Sequence, residues 1–161
     1  MAKILSYLII SAVPKPPLDY KVLLVEDHPL NVELVRDLLE AEGLVVLHSN
    51  TAEEALAIAG HEQPDLMLID LALPGMDGLE ATRLLKEDPA TRGICVVVLT
   101  ARAMKGDREM AMAKGCDAYM TKPLDTRTFT REILTLLRAR GAPRRRQRSA
   151  GPDGASGPRG E

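Results

Sequence analysis

The chain has 161 residues, 45% of them hydrophobic and 27% charged, which suits one globular domain with an aliphatic core. A formal net charge of −2 excludes a strongly basic nucleic-acid binder, and 2% aromatic content with no Trp leaves no base-stacking platform. Cys95, Cys116 and three scattered histidines form neither a disulfide framework nor a zinc-ligand spacing.

In chain order, residues 1–20 read as an N-terminal extension. Ile4 to Val13 is a largely apolar run of ten residues, far short of the roughly 20 that cross a bilayer, and Pro14-Lys-Pro-Pro17 reads as a linker. No transmembrane segment is expected and a cytoplasmic location is. Residues 21–140 then alternate short apolar runs with longer amphipathic ones. Strands are predicted at Val22 to Glu26, Leu44 to His48, Leu66 to Asp70, Cys95 to Thr100 and Ala118 to Thr121. Nearly continuous apolar runs of this kind suit a parallel sheet covered on both faces. Helices are predicted at Leu30 to Glu42, Ala52 to Ala59, Leu79 to Glu87, Lys105 to Lys114 and Thr126 to Arg140. Gly43 and Gly115 stand as stops, and Asn50, Thr51 and Asp125 as N-caps. Met104, Met110, Met112 and Met120 read as core filler before an adaptable docking face. Residues 141–161 carry five Arg against two acids, with many breakers and no apolar period, and read as a disordered basic tail. Arg144, Arg145, Arg146 and Arg148 in that tail are assigned no function.

The alternation predicts an α/β fold, a doubly wound five-stranded parallel (βα)5 sheet, for which the flavodoxin-like order 2-1-3-4-5 is a common choice. Ligands of such sheets bind beyond the carboxyl ends of the strands. There the sequence places Glu26-Asp27, Asp70, Thr100 and Lys122-Pro123. Three carboxylates on one rim repel one another without compensating charge. Oxygen donors with no imidazole or thiolate favour a hard cation, and Mg2+ with Lys122 brings the formal charge of the site to zero. His28, beside the acidic pair, reads as a loop residue. Taken singly, Asp70 is as readily a cap or turn residue, Thr100 a helix cap, Tyr119 core packing and Lys122-Pro123 a turn.

Taken together, Val25-Glu26-Asp27, Leu68-Ile69-Asp70-Leu71-Ala72-Leu73-Pro74-Gly75-Met76-Asp77-Gly78, Leu99-Thr100-Ala101 and Gly115-Cys116-Asp117-Ala118-Tyr119-Met120-Thr121-Lys122-Pro123 closely resemble the receiver domains of two-component response regulators. The stretch from Ala103-Met104-Lys105-Gly106-Asp107-Arg108 to Lys122-Pro123 is most similar to single-domain receivers of the cell-division and polarity-control type, and to receivers of hybrid kinases. The resemblance implies that Asp70 is the phosphoacceptor and that Glu26, Asp27, Asp70 and the backbone carbonyl of Ala72 hold Mg2+. It further implies that Lys122 pairs with a phosphoryl oxygen, that Thr100 bonds another, that small Ala101 leaves room for the group, and that Thr100 and Tyr119 form the switch. A cis peptide at Lys122-Pro123 is implied too. The implied partners are a sensor histidine kinase or phosphotransfer protein upstream and a protein target downstream, met through the fourth helix, fifth strand and fifth helix; a phosphorylation-dependent dimer through that face is open, and direct DNA binding is not expected. Such a protein is not an enzyme beyond its own phosphotransfer and slow hydrolysis of the aspartyl phosphate. Ala72 and Arg102 occupy the positions that set signal lifetime in the family, and Ala72 offers no side chain to position water, which implies a long-lived phosphoryl state. Two readings compete: a phosphorylation-independent pseudo-receiver scaffold, and a phosphatase-type hydrolase with an aspartate nucleophile. The second needs an acid two residues after Asp70, where Ala72 stands. A P-loop kinase or dinucleotide enzyme needs a Gly-rich loop after the first strand, where Glu26-Asp27-His28-Pro29 stands.

Overall fold

The computed structural model describes residues 18–102 and 104–143. Most of the N-terminal extension and of the basic tail lies outside the described residues. Five strands, β1 (Lys21–Val25), β2 (Val45–Ser49), β3 (Leu66–Asp70), β4 (Cys95–Thr100) and β5 (Ala118–Thr121), form one parallel sheet in the order 2-1-3-4-5. Between and after them run α1 (Pro29–Ala41), α2 (Ala52–Glu62), α3 (Gly78–Glu87), α4 (Asp107–Ala113) and α5 (Phe129–Ala139).

Side chains alternate along each strand, so a buried parallel sheet needs apolar residues at every position and a helical layer on each face. On one face Leu23, Val25, Met67, Ile69, Val96 and Val98 pack against α2, α3 and α4. The helices meet them with small residues, Ala52, Ala55, Ala59, Ala81 and Ala111, which lets them lie close to the sheet. On the other face Val22, Leu24, Leu66, Leu68, Val97 and Leu99 pack against larger side chains of α1 and α5, among them Leu39, Phe129, Ile133 and Leu137. Every residue of β3 and β4 is buried. The expectation of burial on both faces fails for the edge strands: Val45 of β2 is 46% exposed, because only one neighbour covers a sheet edge.

The element ends show which local signals act. Thr51 caps α2, its hydroxyl accepting the Glu54 amide at 3.2 Å, whereas Asn50 does not. Gly43 follows α1 at φ 85°, a conformation that favours glycine, and its amide reaches the Glu40 carbonyl. α2 runs on to Glu62, three residues beyond its predicted end, and stops where Gln63 turns left-handed and donates to Ala59. Asp125 is not the N-cap of α5. Its side chain accepts the Arg127 amide at 3.0 Å and closes a turn, and the helix begins only at Phe129 after Thr128. α4 is shorter than predicted, since Gly106 at φ 91° ends the preceding loop and Ala111 is its one buried residue. That also corrects the methionines: Met104, Met110 and Met112 are exposed, and of the four only Met120 packs against the core. No helix among the described residues is long and apolar enough to cross a membrane.

Leu68→Ala, which empties space at the centre of the sheet, should cost about 2–5 kcal/mol in urea unfolding, and Val45→Ala at the open edge under about 0.5 kcal/mol. Equal losses would contradict this assignment of core and edge.

Candidate functional site

The register of the sheet brings the polar strand ends level. Val25 pairs with Ile69, so Glu26 stands beside Asp70; Asp70 pairs with Leu99, and Thr100 with Thr121, so Lys122 follows directly. Backbone bonds extend the row past the strands: the Glu26 amide donates to Ser49 at 3.1 Å, Leu71 to Leu99 at 3.0 Å and Lys122 to Thr100 at 2.7 Å.

On this rim Glu26 is 2% and Asp70 4% exposed, while Asp27 faces outward. The three carboxylates each offer an oxygen within 4.8 Å of the others, close enough for one cation. The Lys122 ammonium donates to Glu26 Oε2 at 2.8 Å and to Asp70 Oδ2 at 2.6 Å. The other oxygens of Glu26 and Asp70 are also engaged. Asp70 Oδ1 accepts the Ala72 amide at 2.9 Å, and Glu26 Oε1 accepts the His28 amide at 3.2 Å and the Asn31 side chain at 3.4 Å. Burial pushes the Asp70 carboxyl toward its neutral form, but the Lys122 hydrogen bond, the Ala72 amide and the Lys122 charge outweigh it and hold the group below its usual value. Burial likewise disfavours the Lys122 ammonium, and the bonds to Asp70 and Glu26 reverse that and raise it. The two directions agree, as they must for an ion pair that is intact at neutral pH.

The other predicted residues lie around this centre. The Thr100 hydroxyl accepts the Arg102 amide at 3.1 Å and donates to the Arg102 carbonyl at 3.0 Å. Tyr119 packs against the α2–α4 layer, with its hydroxyl buried and without a hydrogen-bond partner among the described residues. Lys122-Pro123 is cis, as the resemblance implies. Exposed His28 donates its backbone amide to Glu26 Oε1, and its carbonyl accepts the Val32 amide at 3.1 Å, in keeping with a loop residue. A cavity of about 460 Å3 opens beside Lys122, walled by Leu34, Leu99, Ala101, Pro123 and Leu124. Two contributors were not legible in the sequence: Asn31, already named, and His48, whose Nε2–H donates to the Glu26 carbonyl at 2.8 Å. For His48 the available signal was a polar side chain near the end of an otherwise apolar strand.

A family model for the response regulator receiver domain matches residues 22–134. The chain belongs to the response regulator receiver domain family. It is 44% identical over 116 residues to the polar-differentiation response regulators DivK of Brucella ovis and Brucella anthropi, covering 72% of this chain and 94% of those relatives. Among solved structures it is similar to the receiver domain of a signal transduction histidine kinase from Syntrophus aciditrophicus, with a TM-score of 0.69 and 31% identity over 74% of this chain and 91% of that one. A second neighbour, the receiver domain of a sensor histidine kinase from Pseudomonas aeruginosa, has a TM-score of 0.67 and 30% identity over 73% of this chain and 97% of that one, and is described with a magnesium ion coordinated in its active-site cleft. This receiver is therefore DivK-like in sequence, and its fold is that of its structural neighbours.

The ion pair gives the site a pH signature. Asp70 is depressed, so its contribution to stability is present above the unfolded aspartate value, about 3.9, and is lost as pH falls through the lower folded value. Lys122 is raised, so its contribution is present below the unfolded lysine value, about 10.4, and is lost as pH rises through the higher folded one. In metal-free protein followed by carboxyl NMR, Lys122→Met should move the Asp70 midpoint upward. An unmoved midpoint would show that Lys122 does not hold it.

Proposed function

We propose that this receiver takes a phosphoryl group onto Asp70 from the phosphohistidine of a sensor histidine kinase or phosphotransfer protein, and that the modified form changes a protein–protein contact. The observation that carries the reading is the set of three carboxylates closed by one ammonium at the carboxyl edge of the sheet. The donor set fits Mg2+: carboxylate oxygens of Glu26, Asp27 and Asp70, with the Ala72 carbonyl, would hold it, and among the described residues no imidazole or thiolate joins that cluster. Bound there, Mg2+ supplies charge neutralisation for the transferring phosphoryl group.

The chain's own residues do the rest. An Asp70 oxygen attacks phosphorus, the phosphorus–nitrogen bond of the donor breaks, and the imidazole leaves with the bonding pair. The Ala72 amide holds Oδ1 and so fixes the carboxylate plane. Lys122, already on Asp70 Oδ2, passes to a phosphoryl oxygen as a mobile point charge. The Thr100 hydroxyl leaves the Arg102 backbone for another phosphoryl oxygen, and Tyr119 responds to that movement. One observation supports a protein contact at α4, β5 and α5: Met104, Met110 and Met112 are exposed there. Against the inert scaffold stands a complete residue set; against a phosphatase stands Ala72 at the position of the second acid.

Intact-mass analysis with Mg2+ and acetyl phosphate should show the gain of one phosphoryl group, abolished in Asp70→Ala and by EDTA. Absence of the gain with both acetyl phosphate and a phosphorylated histidine donor would overturn the reading. Ala72→Asn or Ala72→Glu, by adding a side chain that can position water, should shorten the lifetime of the phosphorylated form several-fold in a decay assay. An unchanged lifetime would remove Ala72 from that role.

A further inference from the structure

The loop from Leu71 to Asp77 follows Asp70 directly in the chain, and its hydrogen bonds divide between its two ends. At the near end the Leu71 amide is tied to Leu99 and the Ala72 amide to Asp70. At the far end the tie comes from another helix. Glu53, in the first turn of α2, accepts the Met76 amide on Oε1 at 2.9 Å. Its carboxylate lies over Gly75, which holds φ at +82° and where an added Cβ would stand 3.0 Å from Oε1. The neighbouring Glu54 points the other way and serves its own helix end, accepting the Ser49 hydroxyl at 3.1 Å and the Asn50 amide at 3.3 Å. Two adjacent glutamates in one turn therefore have separate tasks, and that of Glu53 lies outside its own helix.

We infer that Glu53 is a positioning residue for the chemistry at Asp70: by holding the Gly75-Met76 backbone it sets how Ala72 presents its amide to Asp70 and its carbonyl to Mg2+. The inference rests on the role proposed above for Asp70. Its chemical requirement is an acceptor oxygen at that place rather than a charge, since the partner is a neutral amide. Glutamine therefore meets the requirement and alanine does not. Ala72 lies four residues from Met76, so loosening the far tie reaches the site through the backbone.

The test uses the full chain as wild type, Glu53→Ala and Glu53→Gln. In metal-free protein the Ala72 amide resonance should shift in Glu53→Ala and stay near wild type in Glu53→Gln. Titrated with Mg2+ by NMR, Glu53→Ala should bind several-fold more weakly, short of the roughly tenfold or greater loss typical when a direct partner of a metal ligand is removed, with Glu53→Gln near wild type. With acetyl phosphate, the alanine variant should need more Mg2+ for half-maximal phosphorylation while its rate at saturating Mg2+ changes less. A role confined to the charge of the α2 N-terminus would lower thermal stability equally in both variants and leave Mg2+ affinity unmoved, which overturns the inference. A wild type that binds Mg2+ and takes up phosphoryl beside an identical Glu53→Ala overturns the Glu53 role alone; a wild type that does neither overturns this role and the Asp70 reading together.

Discussion

The Lys122 ammonium, shared between Glu26 and Asp70, is the contact on which the arrangement of the rim depends. Two buried carboxylates with a third beside them would repel one another in surroundings that screen poorly. One cation from the far side of the sheet prevents this. Lys122 follows β5, an edge strand, and reaches past the end of β4 to β3 and β1. The reach exists because the parallel register sets Glu26, Asp70 and Lys122 at nearly one height, and the backbone bonds beyond the strands keep them there. The apolar layers thus serve the site indirectly, since they fix the register that brings opposite charges together.

The two layers are built differently, and the difference bears on switching. α1 and α5 meet the sheet with large side chains, whereas α2, α3 and α4 meet it mostly with alanines, and α4 offers Ala111 alone. Beside α4 the Tyr119 hydroxyl is buried with no partner among the described residues, and a buried hydroxyl left so costs about 1–3 kcal/mol relative to a satisfied one. A side chain held at that cost beside a lightly anchored helix is a suitable element for a small input to move. The Thr100 hydroxyl, two residues from its present partner, is the other half of that element.

Most of the fold could be read from sequence because its signals are local. The runs Leu66 to Asp70, Cys95 to Thr100 and Ala118 to Thr121 coincide with β3, β4 and β5, since continuous apolar stretches bounded by polar residues leave little choice of ends. The misses have nonlocal causes. Val45 looks like a core valine until the strand order places it at an edge. The α4 methionines Met110 and Met112 look apolar enough for the core, but they flank Ala111, the one buried residue of that helix, and stay exposed. At the site, Glu26, Asp27, Asp70 and Lys122 were legible as a group because each stands at a strand end. Asn31, His48 and Glu53 were not, because each acts across the fold on another segment's backbone or side chain, and nothing in their local sequence marks it.

The most direct test of the central claim adds Mg2+ and beryllium trifluoride, a stable mimic of the phosphoryl group, to the isotope-labelled protein and follows its spectrum. If the rim works as one unit, the signals of Asp70, Thr100, Arg102, Tyr119 and Lys122 shift together with a single saturation, and Mg2+ alone moves those of Glu26, Asp27 and Asp70. Shifts that stop at the carboxylates, leaving Thr100, Tyr119 and Lys122 where they are, would contradict the account.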